Sequence, residues 1–337
     1  MLENITKLIL FNIFLIFFLK KISFKFKLLD IPDNRKKHLN PTPYTGGLLI
    51  SLSYFFLLVF YDLNNNYLED IIICCIIISF LGFLDDKVKL TPGLKILFQL
   101  VPVVLIVMNG LILNTIGEYK YLKINFGSYS LIFTILCYLL IINAKNYIDG
   151  LDGLATSLFL NSLIILSIYS NINNIFSLNY FLLLLTIPVV IFLFLNLQNN
   201  SFKFFLGDGG SNLLGLLLGS ICVYLFKFEN LHPALIVWSL TVVIYDFLST
   251  CIFRIFKNKK NLFKAGTDHI HYELGKLKNI KHNFIKIILI LNILNFTLGL
   301  IGLLIFYKIN ADVSLLVYIL TFPIYFYLRI ILKKKIK

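Results

Sequence analysis

The 337-residue sequence contains few charged residues and few cysteines. Charged side chains make up 14% of it, against about 25% in soluble globular domains. The hydrophobic fraction of 58% exceeds what a soluble core of this length needs. Its five cysteines all lie within apolar runs and show neither metal-ligand nor disulfide-framework spacing. The composition therefore excludes a soluble domain and a disulfide scaffold, and we expect the cysteines to be small buried apolar residues.

The sequence also lacks the features of a signal peptide and of many transporters. The first apolar run has no small-residue cleavage site, and Lys20 and Lys21 follow it, whereas a signal peptide carries its basic residues first. We therefore expect an uncleaved first membrane span. The sequence also lacks the repeated halves and mid-span polar residues of many transporters. A transporter of lipid-linked sugars is accordingly the less favoured alternative from another functional class.

Long hydrophobic runs are what the sequence does contain, with a mean hydropathy of +0.86. They predict an all-α integral membrane protein, because each backbone amide in lipid must be paired within its own segment. About eleven runs are long enough for tilted spans: residues 3–19, 45–61, 68–84, 94–110, 128–143, 154–169, 178–197, 212–226, 233–253, 284–307 and 313–330. We expect residues 1–337 to form one polytopic domain with cytoplasmic loops at about 20–44, 85–95, 144–153, 198–211 and 254–286.

The basic residues predict the orientation of these spans. If residues 20–44 lie inside, nearly all of the 31 lysines and arginines fall in inside loops or the C-terminal tail; the exceptions are Lys7, Lys120, Lys123, Lys227 and Lys308. The positive-inside rule then places the N-terminus outside and the C-terminus in the cytoplasm. This topology, with attraction to anionic lipids, explains the net charge of +14. No nucleic-acid partner is needed to explain it.

The most informative motif is NAKNYIDGLDGLA, at residues 143–155. Its two Asp-Gly pairs, at Asp149 and Asp152, are typical of turns, and they follow Asn143 and Asn146. Acids and amides at the mouth of a membrane bundle are costly to hold there and usually have a function. We favour a functional site over the alternative, a polar turn between two helices.

Two more polar clusters lie on the same predicted face. Asp85 and Asp86 end the third span and Lys95 opens the fourth; neighbouring carboxylates often gather a divalent cation. Asp208 stands among the glycines of FLGDGGSNLLG, ahead of a helix whose N-terminus would favour phosphate oxygens. Carboxylate oxygens are hard ligands, which favours Mg²⁺, with Mn²⁺ as the alternative.

The remaining polar clusters contain histidines and basic residues. GTDHIHYEL contains His269 and His271, whose rings would point in well separated directions on a regular strand or helix. We favour contact with a sugar or pyrophosphate over a zinc site; plain loop histidines are the alternative. The first inside loop has a cationic patch suited to an anionic lipid headgroup, or to a basic anchor without a specific ligand: Arg35, Lys36, Lys37 and His38. All these clusters together predict phosphoryl transfer between a soluble nucleotide and a membrane phosphate.

In their order along the chain, the motifs resemble those of the polyprenyl-phosphate N-acetylhexosamine-1-phosphate transferases: DIPDNRKKHLNPTPYTGG, LGFLDD, LKILFQ, NAKNYIDGLDGLA, FLGDGGSNLLG and DHIH. The subgroup they resemble most is the undecaprenyl-phosphate GlcNAc-1-phosphate transferases. The resemblance implies transfer of N-acetylhexosamine-1-phosphate, with GlcNAc as the default sugar, from a UDP-sugar to undecaprenyl phosphate. It also implies Mg²⁺ dependence, release of UMP and a place in the bacterial inner membrane. Such enzymes start the synthesis of O-antigen, teichoic acid or similar polysaccharides. Dimers occur in the superfamily, but no motif here reports an interface.

The resemblance also implies roles for individual residues. The catalytic residues would be Asp85, Asp86, Asp208 and Lys95, with Asp85 as the base for the lipid phosphate and Lys95 contacting phosphate. The implied metal ligands are Asp208, Asp86 and Asp152. The nucleotide would be bound by Asn143, Asn146, Asp149 and Asp152, the sugar or pyrophosphate by His269 and His271, and the lipid phosphate by Arg35, Lys37 and His38.

Two positions depart from the family pattern. Lys89 stands where many relatives have an acid or glycine, and Tyr272 stands where many have a further histidine. The second departure bears on the choice of sugar. It also disfavours the related phospho-MurNAc-pentapeptide transferases, which typically carry adjacent histidines in this loop.

Overall fold

Helices account for nearly all of the regular structure. The computed structural model describes residues 2–32, 40–63, 65–121, 123–176, 178–258, 266–278, 280 and 283–336. Across these ranges, eight helices are long and apolar enough to cross a membrane, or nine if one bent pair is a single span. The predicted all-α membrane fold is thereby confirmed.

The helices follow the hydrophobic runs closely. They are α1 (Leu2–Lys25), α2 (Gly46–Phe60), α3 (Asn66–Val88), α4 (Pro92–Met108), α5 (Ser130–Ile148), α6 (Leu154–Ile172), α7 (Asn179–Leu197), α8 (Gly207–Glu229), α9 (Pro233–Ser239), α10 (Thr241–Ile252), α11 (Ile270–Leu274), α12 (Phe284–Lys308) and α13 (Ala311–Ile336). A 3₁₀ turn (Gly127–Tyr129) precedes α5, and a π-helical turn (Phe253–Asn258) follows α10. Strands β1 (Leu29–Asp30) and β2 (Thr42–Pro43) pair antiparallel. Each predicted run overlaps one helix or the bent α9–α10 pair. The number eleven stays a prediction, because α2 and α4 are shorter apolar helices.

The chain divides into two compact units. The first contains Met1–Asn109 and Ser177–Leu217, and the second contains Gly110–Phe176 and Leu218–Lys337. In the first unit α2 packs on α1, α3 and α7, and α3 packs on α4. In the second unit α12 packs on α6, α9 and α13, and α10 packs on α5. Helix α8 contributes residues to both units. The single polytopic domain stays a prediction.

Glycines let three helices of the first unit approach backbone to backbone. A Cβ added to Gly47 of α2 would lie 2.3 Å from the backbone nitrogen of Gly210 in α8. One added to Gly82 of α3 would lie 2.6 Å from the Cα of Gly209. Small residues at membrane helix interfaces permit this close packing. The start of α8 is therefore fixed against α2 and α3, which matters because polar side chains cluster there.

A buried asparagine supports the break in the bent span of the second unit. Helices α9 and α10 meet at an angle of 76° around Leu240, and such a bend leaves backbone groups unpaired. The side chain of Asn295 in α12 accepts a hydrogen bond from the Val242 nitrogen at 3.1 Å. It donates another to the Ser239 carbonyl at 3.1 Å. Asn295 thus replaces hydrogen bonds that the bend removes from the helix.

Replacing Gly82 by alanine tests the close helix packing. The nearest obstacle to the new methyl group is backbone, which cannot rotate away, so we expect Gly82→Ala to lose about 1–3 kcal/mol of stability. Gly93→Ala is the matched control, because nothing lies within 4 Å of a Cβ at that position. Melting curves of the two variants in detergent, followed by circular dichroism, should separate them. Equal melting temperatures would contradict the packing described here.

Candidate active site

Three carboxylates and one lysine of the first unit form a carboxylate–lysine cluster: Asp85, Asp86, Lys95 and Asp208. The Lys95 ammonium lies 2.8 Å from Asp85 Oδ2 and 2.6 Å from Asp208 Oδ2. Asp85 is buried, whereas Lys95 and Asp208 are partly exposed. The structure thus brings together the four side chains that the sequence predicts to be catalytic, and their roles stay predictions.

A tight connection between α3 and α4 positions this lysine. Lys89 ends α3 in the left-handed region, at φ 56°, and its N–H donates to the Asp85 carbonyl at 2.7 Å. The next N–H, of Leu90, donates to Asp85 Oδ1 at 2.8 Å. Pro92 then starts α4, a position that suits its fixed φ. One turn into α4, Lys95 therefore faces back towards the end of α3.

Asp86 caps the N-terminus of α8 from a different helix. Its Oδ1 accepts from the Asp208 N–H at 3.0 Å and its Oδ2 from the Gly209 N–H at 3.4 Å. Gly207 has φ +71°, and a Cβ there would lie 2.6 Å from Asp86 Oδ2. Because of this cap, α8 begins at Gly207, whereas the sequence predicts a loop up to residue 211. Asp208 consequently sits in the first turn of a helix.

The cluster offers oxygen donors that suit a magnesium ion. No group of three or more histidine, cysteine, aspartate or glutamate side chains within the described ranges could by itself hold a metal ion. Magnesium, however, is usually held by one or two carboxylates together with substrate phosphates and water. Asp208 and Asp86 fit that pattern. Asp152, the third predicted ligand, belongs to the second unit.

The Asp-Gly motif of the second unit lies partly on a helix. Helix α5 continues to Ile148, so Asn146 is helical and not in a loop as predicted, and Asn143 is helical, as the predicted span 128–143 implies. Being three residues apart, they lie on the same side of α5. Asp149 caps the end of α5, and Gly153, at φ +80°, precedes α6. Asp149 and Asp152 therefore lie on the tight turn that the sequence predicts.

The two predicted histidines lie side by side in a histidine segment, residues 268–274. Their rings are nearly parallel, at 10°, with centroids 6.0 Å apart. The expectation of well separated rings is wrong, because residues two apart share one face of a strand, and here His269 has extended backbone while only His271 lies within α11. His269 Nδ1 is 2.8 Å from Asp246 Oδ2. Since a carboxylate can only accept, Nδ1 carries the hydrogen and Nε2 is left for another partner.

His271 is buried against the Asp-Gly turn. Within the described part of the chain, neither of its ring nitrogens has a hydrogen-bond partner. A Cβ on Gly150 would lie 2.2 Å from His271 Nε2, so only glycine allows this approach. Burial, which outweighs the opposing effect of the nearby Asp246 carboxylate, lowers the pKa of His271 to about 3. The ring is therefore neutral near pH 7.

A second ion pair holds the start of the histidine segment. Arg254 donates through Nε to Asp268 Oδ2 at 2.9 Å and through Nη2 to Asp268 Oδ1 at 2.6 Å. Burial alone would raise the pKa of Asp268, but the Arg254 fork outweighs it and the pKa is lowered. The Arg254 guanidinium also lies over the ring of Tyr147, 5.6 Å from its centroid. This pair fixes the backbone just before His269.

Sequence reasoning missed three buried charged residues of the second unit. Lys145 lies fully buried in α5, inside the Asp-Gly motif, and donates to the Ala155 carbonyl at 3.4 Å. Glu273 and Arg329 form a buried ion pair at 2.8 Å. A charge within an apolar run, as Arg329 is, is the signal that could have revealed it. The predicted lipid-phosphate residues Arg35, Lys37 and His38 lie outside the described residues.

Comparison with known proteins identifies the family of this chain. Residues 70–226 match the family model Glycosyl transferase family 4. The chain is 32% identical over 262 residues to the probable undecaprenyl-phosphate N-acetylglucosaminyl 1-phosphate transferase of Bacillus subtilis strain 168, covering 76% of this chain and 72% of that protein. The chain belongs to glycosyl transferase family 4.

Two further bacterial proteins are also similar to this chain. It is 26% identical over 271 residues to the undecaprenyl-phosphate alpha-N-acetylglucosaminyl 1-phosphate transferase of Yersinia pestis, covering 78% of this chain and 73% of that protein. It is 24% identical over 275 residues to the enzyme of the same name from Escherichia coli K12, covering 80% of this chain and 75% of that protein. The resemblance that the motifs predict is confirmed. The family match includes the carboxylate–lysine cluster and the Asp-Gly turn.

Acid should destabilise the protein partly through His271. In the folded protein the pKa of His271 is lower than the ordinary value of about 6.5, which applies to the unfolded chain. At a pH between these two pKa values, only the unfolded state binds the proton. Stability therefore falls as the pH decreases through this window. We expect His271→Gln to reduce the slope of stability against pH by up to about 1.4 kcal/mol per pH unit, which corresponds to one bound proton. Melting temperatures between pH 4 and 8 measure this, and parallel curves for both proteins would refute it.

Proposed function

We propose that this protein transfers GlcNAc-1-phosphate from UDP-GlcNAc to undecaprenyl phosphate. The products are undecaprenyl-pyrophosphoryl-GlcNAc and UMP. Membership of glycosyl transferase family 4 supports this reaction, since relatives from three bacteria carry the name of a GlcNAc-1-phosphate transferase acting on undecaprenyl phosphate.

The observation that carries the proposal is the bridging position of Lys95. Its ammonium lies within 2.8 Å of two carboxylates, Asp85 and Asp208, at the joined ends of α3, α4 and α8. A lysine is a mobile point charge on a flexible stem, so it can exchange a carboxylate for a phosphate oxygen. A small cavity beside it is lined by Asp85, Gln99 and Asn212 together with apolar side chains.

The bond changes need little covalent participation from the protein. An oxygen of the lipid phosphate forms a bond to the sugar-linked phosphorus, the bridging P–O bond breaks, and its electron pair leaves with UMP. A phosphate monoester is largely dianionic at neutral pH, since its second pKa is about 6. Asp85 therefore positions charge in this scheme and need not remove a proton. Positioning supplies most of the catalysis in phosphoryl transfer. We favour this direct attack over a two-step route through an aspartyl-phosphate.

Mg²⁺ is the metal that we assign to this site, with Asp208 and Asp86 as its protein ligands. When bound, it would neutralise negative charge on the phosphates. Asp86 also contributes through its cap on α8, because both of its oxygens hold backbone N–H groups of the first turn. Asp208 is thereby fixed in position by the same residue with which it would share the metal.

The second unit supplies the groups that we assign to UDP-GlcNAc. The Asp-Gly turn would bind the nucleotide through Asn143, Asn146, Asp149 and Asp152. His269 and the neutral His271 would contact the sugar or pyrophosphate, with His269 Nε2 free of the Asp246 bond that holds Nδ1. We assign the lipid phosphate to Arg35, Lys37 and His38 as well as Lys95.

The cellular setting follows from the charge pattern and the bacterial relatives. The protein is a multi-pass bacterial membrane protein, and we propose that its N-terminus is outside and its C-terminus in the cytoplasm. The lipid-linked product would begin a cell-surface polysaccharide such as O-antigen or teichoic acid.

Replacing Asp208 by asparagine should abolish turnover. The change keeps the shape of the side chain but removes the charge that pairs with Lys95 and that would bind the metal. We expect a fall of at least about 1,000-fold in kcat, equivalent to about 4 kcal/mol. The assay follows labelled GlcNAc-1-phosphate moving from UDP-GlcNAc into the organic phase with undecaprenyl phosphate, and the release of UMP.

Three controls accompany this assay. Asp62→Asn removes an exposed carboxylate just after α2 and should keep normal turnover. EDTA should stop transfer, and added Mg²⁺ should restore it. Near-normal turnover of Asp208→Asn would overturn the metal assignment, whereas transfer with a different UDP-N-acetyl sugar alone would correct the donor.

A further inference from the structure

Arg329 is a buried cation that the proposed chemistry does not use. It lies in α13, whose apolar stretch is only 11% buried within the protein. The side chain of Arg329, in contrast, is almost fully buried, with 1% exposed. A buried guanidinium is costly unless its N–H groups find hydrogen-bond acceptors. The partners of Arg329 therefore indicate why this helix carries a charge among apolar residues.

The first partner is Glu273, in α11, two residues after His271. Arg329 Nε donates to Glu273 Oε2 at 3.0 Å, and Nη2 donates to Glu273 Oε1 at 2.8 Å. This bidentate fork fixes the carboxylate in both distance and orientation. Glu273 is itself 4% exposed. The ion pair thus anchors the helical end of the histidine segment to α13.

The remaining N–H groups hold α10 and the start of the same segment. Nη1 donates to Thr250 Oγ1 at 2.9 Å and to the Asp246 carbonyl at 3.3 Å. It also lies 3.3 Å from the Asp246 carboxylate. Nη2 donates to the Asp268 carbonyl. One side chain therefore holds the backbone before His269 and the carboxylate after His271.

The Asp246 carboxylate carries this restraint on to the histidine ring. Its Oδ2 is 2.8 Å from His269 Nδ1, and its Oδ1 accepts from the Ile270 N–H at 2.9 Å. Arg329 compensates the negative charge of Asp246, so the carboxylate stays available to accept from the ring. A carboxylate that accepts a hydrogen bond from one ring nitrogen fixes the tautomer and the orientation of a functional histidine.

We infer that Arg329 is a positioning residue for the sugar-nucleotide site. It holds His269 and His271 in their parallel arrangement through Glu273 and Asp246, and it does not touch the substrate. The inference rests on the proposed function, because that proposal assigns the histidine segment to the sugar or pyrophosphate. It predicts that Arg329 affects one substrate and spares the other.

Two conservative variants and one control test this selectivity. Arg329→Lys keeps the charge but loses the fork, and Glu273→Gln keeps the shape but loses the charge. For each we expect KM for UDP-GlcNAc to rise about tenfold and KM for undecaprenyl phosphate to stay within about twofold. In the double variant, KM for UDP-GlcNAc should exceed that of the more impaired single variant by no more than about twofold, because both changes break the same ion pair. Lys334→Gln, an exposed charge on the same helix, should change neither constant.

A role in folding alone would give a different result. It would reduce the amount of active enzyme and so lower the apparent kcat, while both KM values stayed at their wild-type level. That pattern, or unchanged kinetics in both variants, would overturn the inference. If Arg329→Lys fails to fold, Glu273→Gln and Thr250→Val carry the test, since each removes one acceptor of the same guanidinium.

Histidine labelling gives a readout that does not require turnover. Diethyl pyrocarbonate modifies accessible imidazoles, and peptide mass spectrometry reports each histidine separately. The buried rings of His269 and His271 should label slowly in the wild type and at least about fivefold faster in Arg329→Lys and Glu273→Gln, because a freed segment opens more often. Equal labelling rates would overturn the inference even if the wild-type protein transferred no sugar. Faster labelling in a protein without transfer activity would keep the structural assignment and reject the proposed reaction instead.

Discussion

Compensation of buried charge is the constraint on which both polar clusters depend. A carboxylate taken out of water is costly unless a cation or backbone N–H groups replace its hydration. Asp85 has Lys95, Asp86 has the first N–H groups of α8, and Asp246 has His269 and Arg329. Each pairing joins two different elements of the chain. The compensation of charge therefore determines where the ends of α3, α4 and α8 lie within the first unit, and where the histidine segment lies within the second.

The two units satisfy this constraint with different cations. The first unit uses Lys95, a partly exposed point charge shared between two carboxylates, and the flexible stem of a lysine lets this charge turn towards an incoming anion. The second unit uses the forks of Arg254 and Arg329, whose planar geometry fixes a carboxylate in a single orientation. This difference matches the work that we propose for each unit. A group that meets transferring phosphates must be able to respond, whereas a group that positions two imidazoles must stay in place.

Hydropathy alone predicts the helices well, because a run that must bury its own backbone polar groups in lipid has few alternatives. The beginning of α8 could not be predicted, since Asp86, more than 100 residues earlier, supplies the cap that starts it at Gly207. Likewise, the parallel rings of His269 and His271 depend on a change from extended to helical backbone between them. Motif spacing indicated Asp85, Asp208 and Lys95, but Arg329 belongs to no motif, and the GTDHIHYEL motif gives no sign of the partner of Glu273. Their pairing over 56 residues becomes visible only in the folded chain.

The extent of the family match separates two kinds of residue. Residues 70–226 match the family model and contain the whole carboxylate–lysine cluster that we assign to phosphoryl transfer. The histidine segment and Arg329 lie beyond that match. A reaction that joins a UDP-sugar to a lipid phosphate needs the same charge stabilisation whichever N-acetyl sugar is carried, whereas recognition of the sugar must differ between donors. The positioning network that we infer is built from α10, α11 and α13, which all lie outside residues 70–226. Under the function that we propose, substitutions there would change contact with the sugar and leave the pairing of Lys95 with Asp85 and Asp208 intact.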